Sequence, residues 1–335
     1  MKAKFLSVLL ALTMVLSLLP TAALAEDGEP DVQSNEETQA VGTVSLPSGN
    51  TGDFIIANDN AVLDGTGITY TNGTITVTGD NVTIQNLTFG DKAKLVVNTA
   101  GNFTLTGCTF NSNTVYSKKD SSSIRTAATL NVGKATVTGN VFTGITNGYY
   151  NAIEFGIGTT NNDLSKATIS NNIFNSSIQN NYFNFYNMTD AAVIDIMDNQ
   201  LLLANKDSNG IRISNFRNAS NVTFNIIGDT YTYSSSAGLH PNYEGLVLFQ
   251  DYSKSENESQ DFTSITLNIK NLSAPKDATQ LFYVYADKSG IISTNQPKIT
   301  GDSSIEKFFV AKVGTTMYSS LSDAVAAAGT GNTVT

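Results

Sequence analysis

The sequence is poor in the residues from which most reactive sites are built. It has one cysteine (Cys108), one histidine (His240) and no tryptophan. One cysteine excludes an internal disulfide framework, a cysteine-rich zinc site and an iron–sulfur cluster. One histidine, set in a Ser/Gly/Pro loop, leaves no Ser–His–Asp relay and no multi-histidine metal site. Charged residues make up only 14% of the 335, with a formal net charge of −10. That sign argues against nucleic acid or an anionic membrane surface as partner. Hydrophobic residues still reach 40%, so a wholly disordered chain is excluded. Scarce charge beside abundant Asn, Thr, Ser and Gly points to β structure with many turns.

One long apolar run, Phe5 to Leu19, follows Lys2 and Lys4 and ends at Pro20. With the small residues Ala23 and Ala25 at a cleavage position, residues 1–25 read as a signal peptide, leaving no membrane span after its removal. Residues 26–42 carry six acids and no Lys or Arg, the composition of a solvated acidic leader. Six of the 29 acids and two of the 19 bases lie in these two segments, so the body keeps a net charge of −6.

The body, 43–308, is repetitive. Val82-Thr83-Ile84-Gln85-Asn86-Leu87-Thr88-Phe89 returns as Phe103-Thr104-Leu105-Thr106-Gly107-Cys108-Thr109-Phe110. It returns again as Ala135-Thr136-Val137-Thr138-Gly139-Asn140-Val141-Phe142 and as Ala167-Thr168-Ile169-Ser170-Asn171-Asn172-Ile173-Phe174. Looser copies follow around Ile196, Ile226, Ile269 and Ile299. Most copies alternate apolar and polar residues at period two, the mark of a half-buried strand. Two residues after the central apolar position stands Asn86, Gly107, Gly139, Asn171, Asp198, Gly228, Asn271 or Gly301. Gly, Asn and Asp enter the left-handed region most readily, so this column predicts a recurrent bend. Second strand-like runs lie within the intervals, among them Ala127–Val132, Ala152–Ile157, Tyr182–Asn187 and Ile211–Asn215. Such a unit cannot close its own core and must stack on its neighbours, which makes an all-β solenoid of about eight to nine coils with parallel strands. A β-sandwich also uses many short strands, but its strands would not share one bend residue at one register.

The pattern Gly79-Asp80-Asn81-Val82-Thr83-Ile84-Gln85-Asn86-Leu87-Thr88-Phe89 resembles the rung motif of right-handed parallel β-helix proteins, the pectin-lyase-like superfamily. That resemblance implies a right-handed parallel β-helix. It implies little about activity, because the superfamily includes lyases, hydrolases, adhesins and structural spikes. It also implies an internal ladder of stacked amides, for which Asn140, Asn172 and Asn199 share one register with Leu87 and Cys108. Residues 309–335 break the pattern: Ser320 with Asp323, an alanine run and Gly329 predict a short helix. This tail reads as a cap on the solenoid or as the truncated start of a further repeat.

Outward positions of the main strands are Thr83, Gln85, Thr104, Thr106, Thr136, Thr138, Thr168 and Ser170, followed by Asp195, Asn225 and Asn268. This face is neutral and polar and offers one carboxylate where a glycosidase needs two at a set separation. The calcium cluster with an Arg or Lys base that lyase-like activity would imply is not visible, and neither is a paired-Asp-and-His hydrolase set. On the second row of strands, Glu154, Tyr182, Asn184, Tyr186 and Arg212 are expected to face out, with Tyr283 or Tyr285 continuing the row. An exposed aromatic and amide row of this kind would suit a saccharide groove. Cys108 is expected in the core, and Asn58-Asp59-Asn60 with Asp64-Gly65 is expected to be turn chemistry rather than a calcium loop.

The leading expectation is a secreted bacterial surface scaffold or adhesin without cofactor or metal. Its partner would be extracellular polysaccharide or a host or cell-wall glycan, contacted through Glu154, Tyr182, Asn184, Tyr186, Arg212 and Tyr285. The rivals are a polysaccharide lyase or hydrolase using Glu154, Arg212 and Asp195, and a passive spacer within a longer wall protein.

Overall fold

Alternation along each strand sends one set of side chains inward. In Val82–Gln85, Val82 and Ile84 are buried while Thr83 and Gln85 are half-buried, and Ile265–Lys270 and Val222–Ile227 repeat the pattern. A computed structural model describes residues 42–111, 126–146, 151–156, 163–177, 181–203, 209–214, 219–233, 246–250, 262–274, 281–284, 297–318 and 321–335. Here the chain is all-β, with strands gathered into one 19-stranded and one 7-stranded sheet. Every pairing between rungs is parallel up to Lys298–Gly301, the β-solenoid-like arrangement that the recurring motif requires.

Three ladders run along the stack. The principal ladder links Val82–Gln85 to the second half of Ala93–Thr106, then to the second half of Thr126–Thr138 and on to Leu164–Ser170. It continues through Met188–Met197, Val222–Ile227 and Ile265–Lys270. A second ladder joins the first halves of the two long strands to Asn151–Phe155, Asn181–Phe185, Asn209–Ser214, Val247–Gln250 and Phe282–Val284. Ala93–Thr106 and Thr126–Thr138 pass through both ladders, which is why two rows merge into one sheet. The third ladder is the 7-stranded sheet, formed by short segments such as Thr88–Phe89, Thr109–Asn111 and Val141–Thr146. Residue register is kept across uneven chain lengths: Thr104, Thr136, Thr168, Asp195, Asn225 and Asn268 are successive Cα partners.

The bend column lies between the principal and third ladders. Asn86, Gly107, Gly139, Asn171, Asp198, Gly228 and Asn271 all have φ between 53° and 74°. Gly301 departs from the expectation. It closes the strand Lys298–Gly301 outside the positive-φ set, and a Cβ there would lie 2.3 Å from Ile305 Cδ1. The glycine at 301 therefore serves close packing against Ile305 rather than a left-handed turn.

Stacking places like on like in the interior. Phe89, Phe110, Phe142 and Phe174 form a column with ring centroids 4.5, 4.6 and 4.5 Å apart. That spacing follows from the strand separation of about 4.8 Å, so the pile is a consequence of register. After Lys298–Gly301 the parallel order ends: Thr316–Tyr318 pairs antiparallel with it and with Ala311–Val313, and a helix, α1 (Leu321–Ala328), follows. Backbone bonds between Lys312 and Thr335 hold the last residues to this hairpin.

Gly139 isolates the backbone requirement, because a Cβ there meets nothing nearer than the Gly107 nitrogen at 4.0 Å. We expect Gly139→Val to lose about 1 kcal/mol or more through its φ of 65°, and Gly139→Asn to lose much less. Chemical denaturation of the two variants against the parent checks both halves of this expectation.

Candidate functional site

The outward face of the principal ladder carries hydroxyls in its first half and amides in its second. Thr83, Thr104, Thr136 and Thr168 stand half-buried in one column, with Gln85, Thr106, Thr138 and Ser170 two residues along. Neighbouring rungs bond to one another: the hydroxyls of Thr138 and Ser170 are 3.1 Å apart. Further on, Asn225 Nδ2 donates to Asp195 Oδ1 at 2.7 Å and Asn268 Nδ2 donates to Asn225 Oδ1 at 2.8 Å. Thr300 Oγ1 closes the series by donating to Asn268 Oδ1 at 2.6 Å. Asp195 is thus tied into an amide chain. Asp198 occupies the bend column, with φ of 55°.

The second ladder differs from its expected exposure. Glu154, Asn184 and Arg212 are successive partners, so Glu154 and Arg212 do lie two rungs apart with Asn184 between them. They leave the strands on the side opposite Ile153, Phe183 and Ile211. Yet Glu154 is 8% exposed, Arg212 3% and Asn184 0%, and every residue of Asn151–Phe155 is buried. Alternation fixes the side from which a side chain leaves, and here that side is closed to solvent. Asn151 Nδ2 donates to Glu154 Oε1 at 2.5 Å. Asn184 Nδ2 donates to the Tyr186 hydroxyl at 2.9 Å, and Ser214 Oγ donates to Asn184 Oδ1 at 3.3 Å.

Tyr182 is corrected further. It is 0% exposed and packs edge-on against Phe174, with centroids 5.2 Å apart, while its hydroxyl donates to the Leu202 carbonyl. It belongs to the aromatic core at the corner between two ladders. Of the described side chains of the proposed row only Tyr186 is half-buried; Tyr285, His240 and the side chain of Tyr283 lie outside the described residues. An open saccharide groove built on Glu154, Tyr182, Asn184 and Arg212 is therefore not what the geometry offers. A buried polar row, joined by Thr99, Thr126, Asn131 and Asn151, stands in its place.

Inside the bends runs the amide ladder. The Cys108 backbone N–H donates to Asn140 Oδ1 at 2.9 Å. Asn140 donates its backbone N–H and Nδ2 to Asn172 Oδ1, both at 3.0 Å. Asn172 does the same to Asn199 Oδ1, at 3.0 and 2.9 Å. A fourth member, Asp229, escaped the sequence reading: Asn199 donates its N–H and Nδ2 to Asp229 Oδ1 at 2.8 and 3.1 Å. The signal was present, because Asp229 follows Gly228 of the bend column just as Asn140 follows Gly139. Cys108 is wholly buried, and desolvation pushes its thiol up to about 12, so it behaves as a small core residue.

Asp59 and Asp64 act in the turns where they stand. Asp59 Oδ1 accepts the Asp80 backbone N–H at 2.8 Å. Hydrogen bonds from Thr66, Gln85 and Asn86 hold the Asp64 carboxyl down at about 2. Among the described residues no group of three or more His, Cys, Asp or Glu is placed to hold a metal ion, and no helix is long and apolar enough to cross a membrane. Comparison of the chain with family models, with curated proteins and with solved structures gives no match.

The amide ladder supplies the sharpest stability test. Asn172→Ala strands the Asn140 backbone N–H and one Asn140 Nδ2–H in the interior, and it removes the Nδ2 donor from the Val137 carbonyl and from Asn199 Oδ1, which keeps the residue 172 N–H. At about 1–3 kcal/mol for each buried donor left unpaired, a loss of at least about 2 kcal/mol in urea unfolding is expected.

Proposed function

We propose that the chain is an exported bacterial β-helix, right-handed and of the pectin-lyase-like type, with eight to nine coils. In this reading it works as a surface scaffold that presents the principal ladder to neutral extracellular polysaccharide. The observation that carries the reading is the outward hydroxyl and amide face from Thr83 to Asn268, half-buried and in register. Ordered hydroxyls and amides on a rigid sheet suit sugar hydroxyls, since little side-chain freedom is lost on contact. A face with few charges gives a neutral polymer no desolvation penalty from buried ions. The burial of Glu154 and Arg212 weighs against an open acid–base pair between the strands, and Asp195 lies on a different ladder.

Pull-down of the whole chain with insoluble neutral polysaccharides and with bacterial wall preparations tests the proposal. Binding is expected, and Thr104→Glu with Thr136→Glu is expected to weaken it about tenfold or more by placing charge on the face. Absence of binding to every neutral polysaccharide would overturn the ligand assignment, and turnover of a polysaccharide would overturn the scaffold role.

A further inference from the structure

The interior ladder ends on a residue that breaks its own rule. Asn140, Asn172 and Asn199 each use their side chains in the same way. Oδ1 accepts from the preceding rung, the Cys108 N–H for Asn140 and two donors each for Asn172 and Asn199, and Nδ2 donates to a strand carbonyl: Leu105 for Asn140, Val137 for Asn172 and Ile169 for Asn199, each at 3.0 Å. Leu105, Val137, Ile169 and Ile196 are successive Cα partners in the principal ladder. The next rung therefore sets Asp229 against the Ile196 carbonyl. Asp229 Oδ1 repeats the acceptor role, taking both donors of Asn199. Its Oδ2 occupies the place of the amide nitrogen, and it is buried without a hydrogen-bond partner.

A carboxylate in that slot would bring an acceptor against an acceptor, in a position wholly closed to water. A protonated carboxyl would supply the missing donor, as an asparagine would. We propose that Asp229 is carried as the neutral acid, its Oδ2–H donating to the Ile196 carbonyl, and that its ionisation loosens this end of the amide ladder. Burial is the main cause that pushes the group up to about 7, the hydrogen bonds from Asn199 oppose it, and the charge of Asp198 adds to it.

Among the described residues the titratable neighbours give the site no cation. Asp198 precedes Asn199 in the adjoining rung, and Tyr231, two residues along, is itself raised by burial and by Asp229. On the other side, Lys270 is exposed and meets this turn through its backbone carbonyl, which accepts the Gly228 N–H at 2.9 Å. The folded protein thus holds a proton that the unfolded chain releases near its ordinary value of 3.8. Stability from this group is complete below that value, falls as pH rises toward about 7, and levels off above it.

The test is thermal unfolding of the full chain and of Asp229→Asn between pH 5 and pH 8.5. Other carboxyls titrate alike in both proteins, so the difference between them isolates residue 229. Asp229→Asn is expected to melt about 5 °C or more above the parent at pH 8.5, with the gap closing toward pH 5. A gap that does not change with pH, or a variant less stable at pH 8.5, would overturn the proposal. An independent readout is the infrared band of a protonated carboxyl at pH 6, present in the parent and lost in Asp229→Asn and in Asp229→Ser. No such band in the difference spectra would also overturn it.

Discussion

Each coil of this chain buries its apolar side chains only because another coil lies against it. A rung such as Val82–Phe89 has inward residues for one layer and no second layer of its own. The layer is completed by the same residues one turn away, at the strand separation of about 4.8 Å. That single constraint orders the remainder. It aligns the bends at Asn86, Gly107, Gly139 and Asn171, piles four phenylalanines, and brings amides within bonding distance of amides.

The same constraint sorts polar groups into two kinds. Those on the outside of the principal ladder bond along the axis and still meet solvent, as Asp195, Asn225 and Asn268 do. Those inside the bends meet no solvent and must satisfy one another completely. Asn140, Asn172 and Asn199 achieve this because an amide carries both donors and acceptors. Asp229 achieves it only with a proton, and that makes it the chemically distinctive group of the interior. On the outer face, register gives a ruled array of hydroxyls and amides, and the proposed function rests on that face.

The architecture was legible in the sequence because register leaves a periodic trace. The left-handed positions could be named from residue type alone, and seven of the eight hold φ above 50°. Gly301 misled because a glycine required by the approach of Ile305 looks the same in sequence as one required by a turn. The second ladder was legible in register and illegible in exposure. Glu154, Asn184 and Arg212 follow one another as read, but alternation says nothing about what lies against the outer side of a strand. Tyr182 shows the same limit near the start of its strand, where an outward position packs edge-on against Phe174. Asp229 was missed for a different reason. Its register follows from Gly228, but an acid does not match the amide type by which a ladder of asparagines is recognised.

Distances between spin labels on one outward column test the stacked register most directly. With one label at Thr83 and the second at Asn225, Asn268 or Thr300, the labels are five, six and seven rungs apart. Stacked register predicts separations of about 24, 29 and 34 Å, rising by one equal strand spacing each time although the chain between labels grows unevenly. Separations that follow the number of residues instead, or that show no common increment, would contradict it.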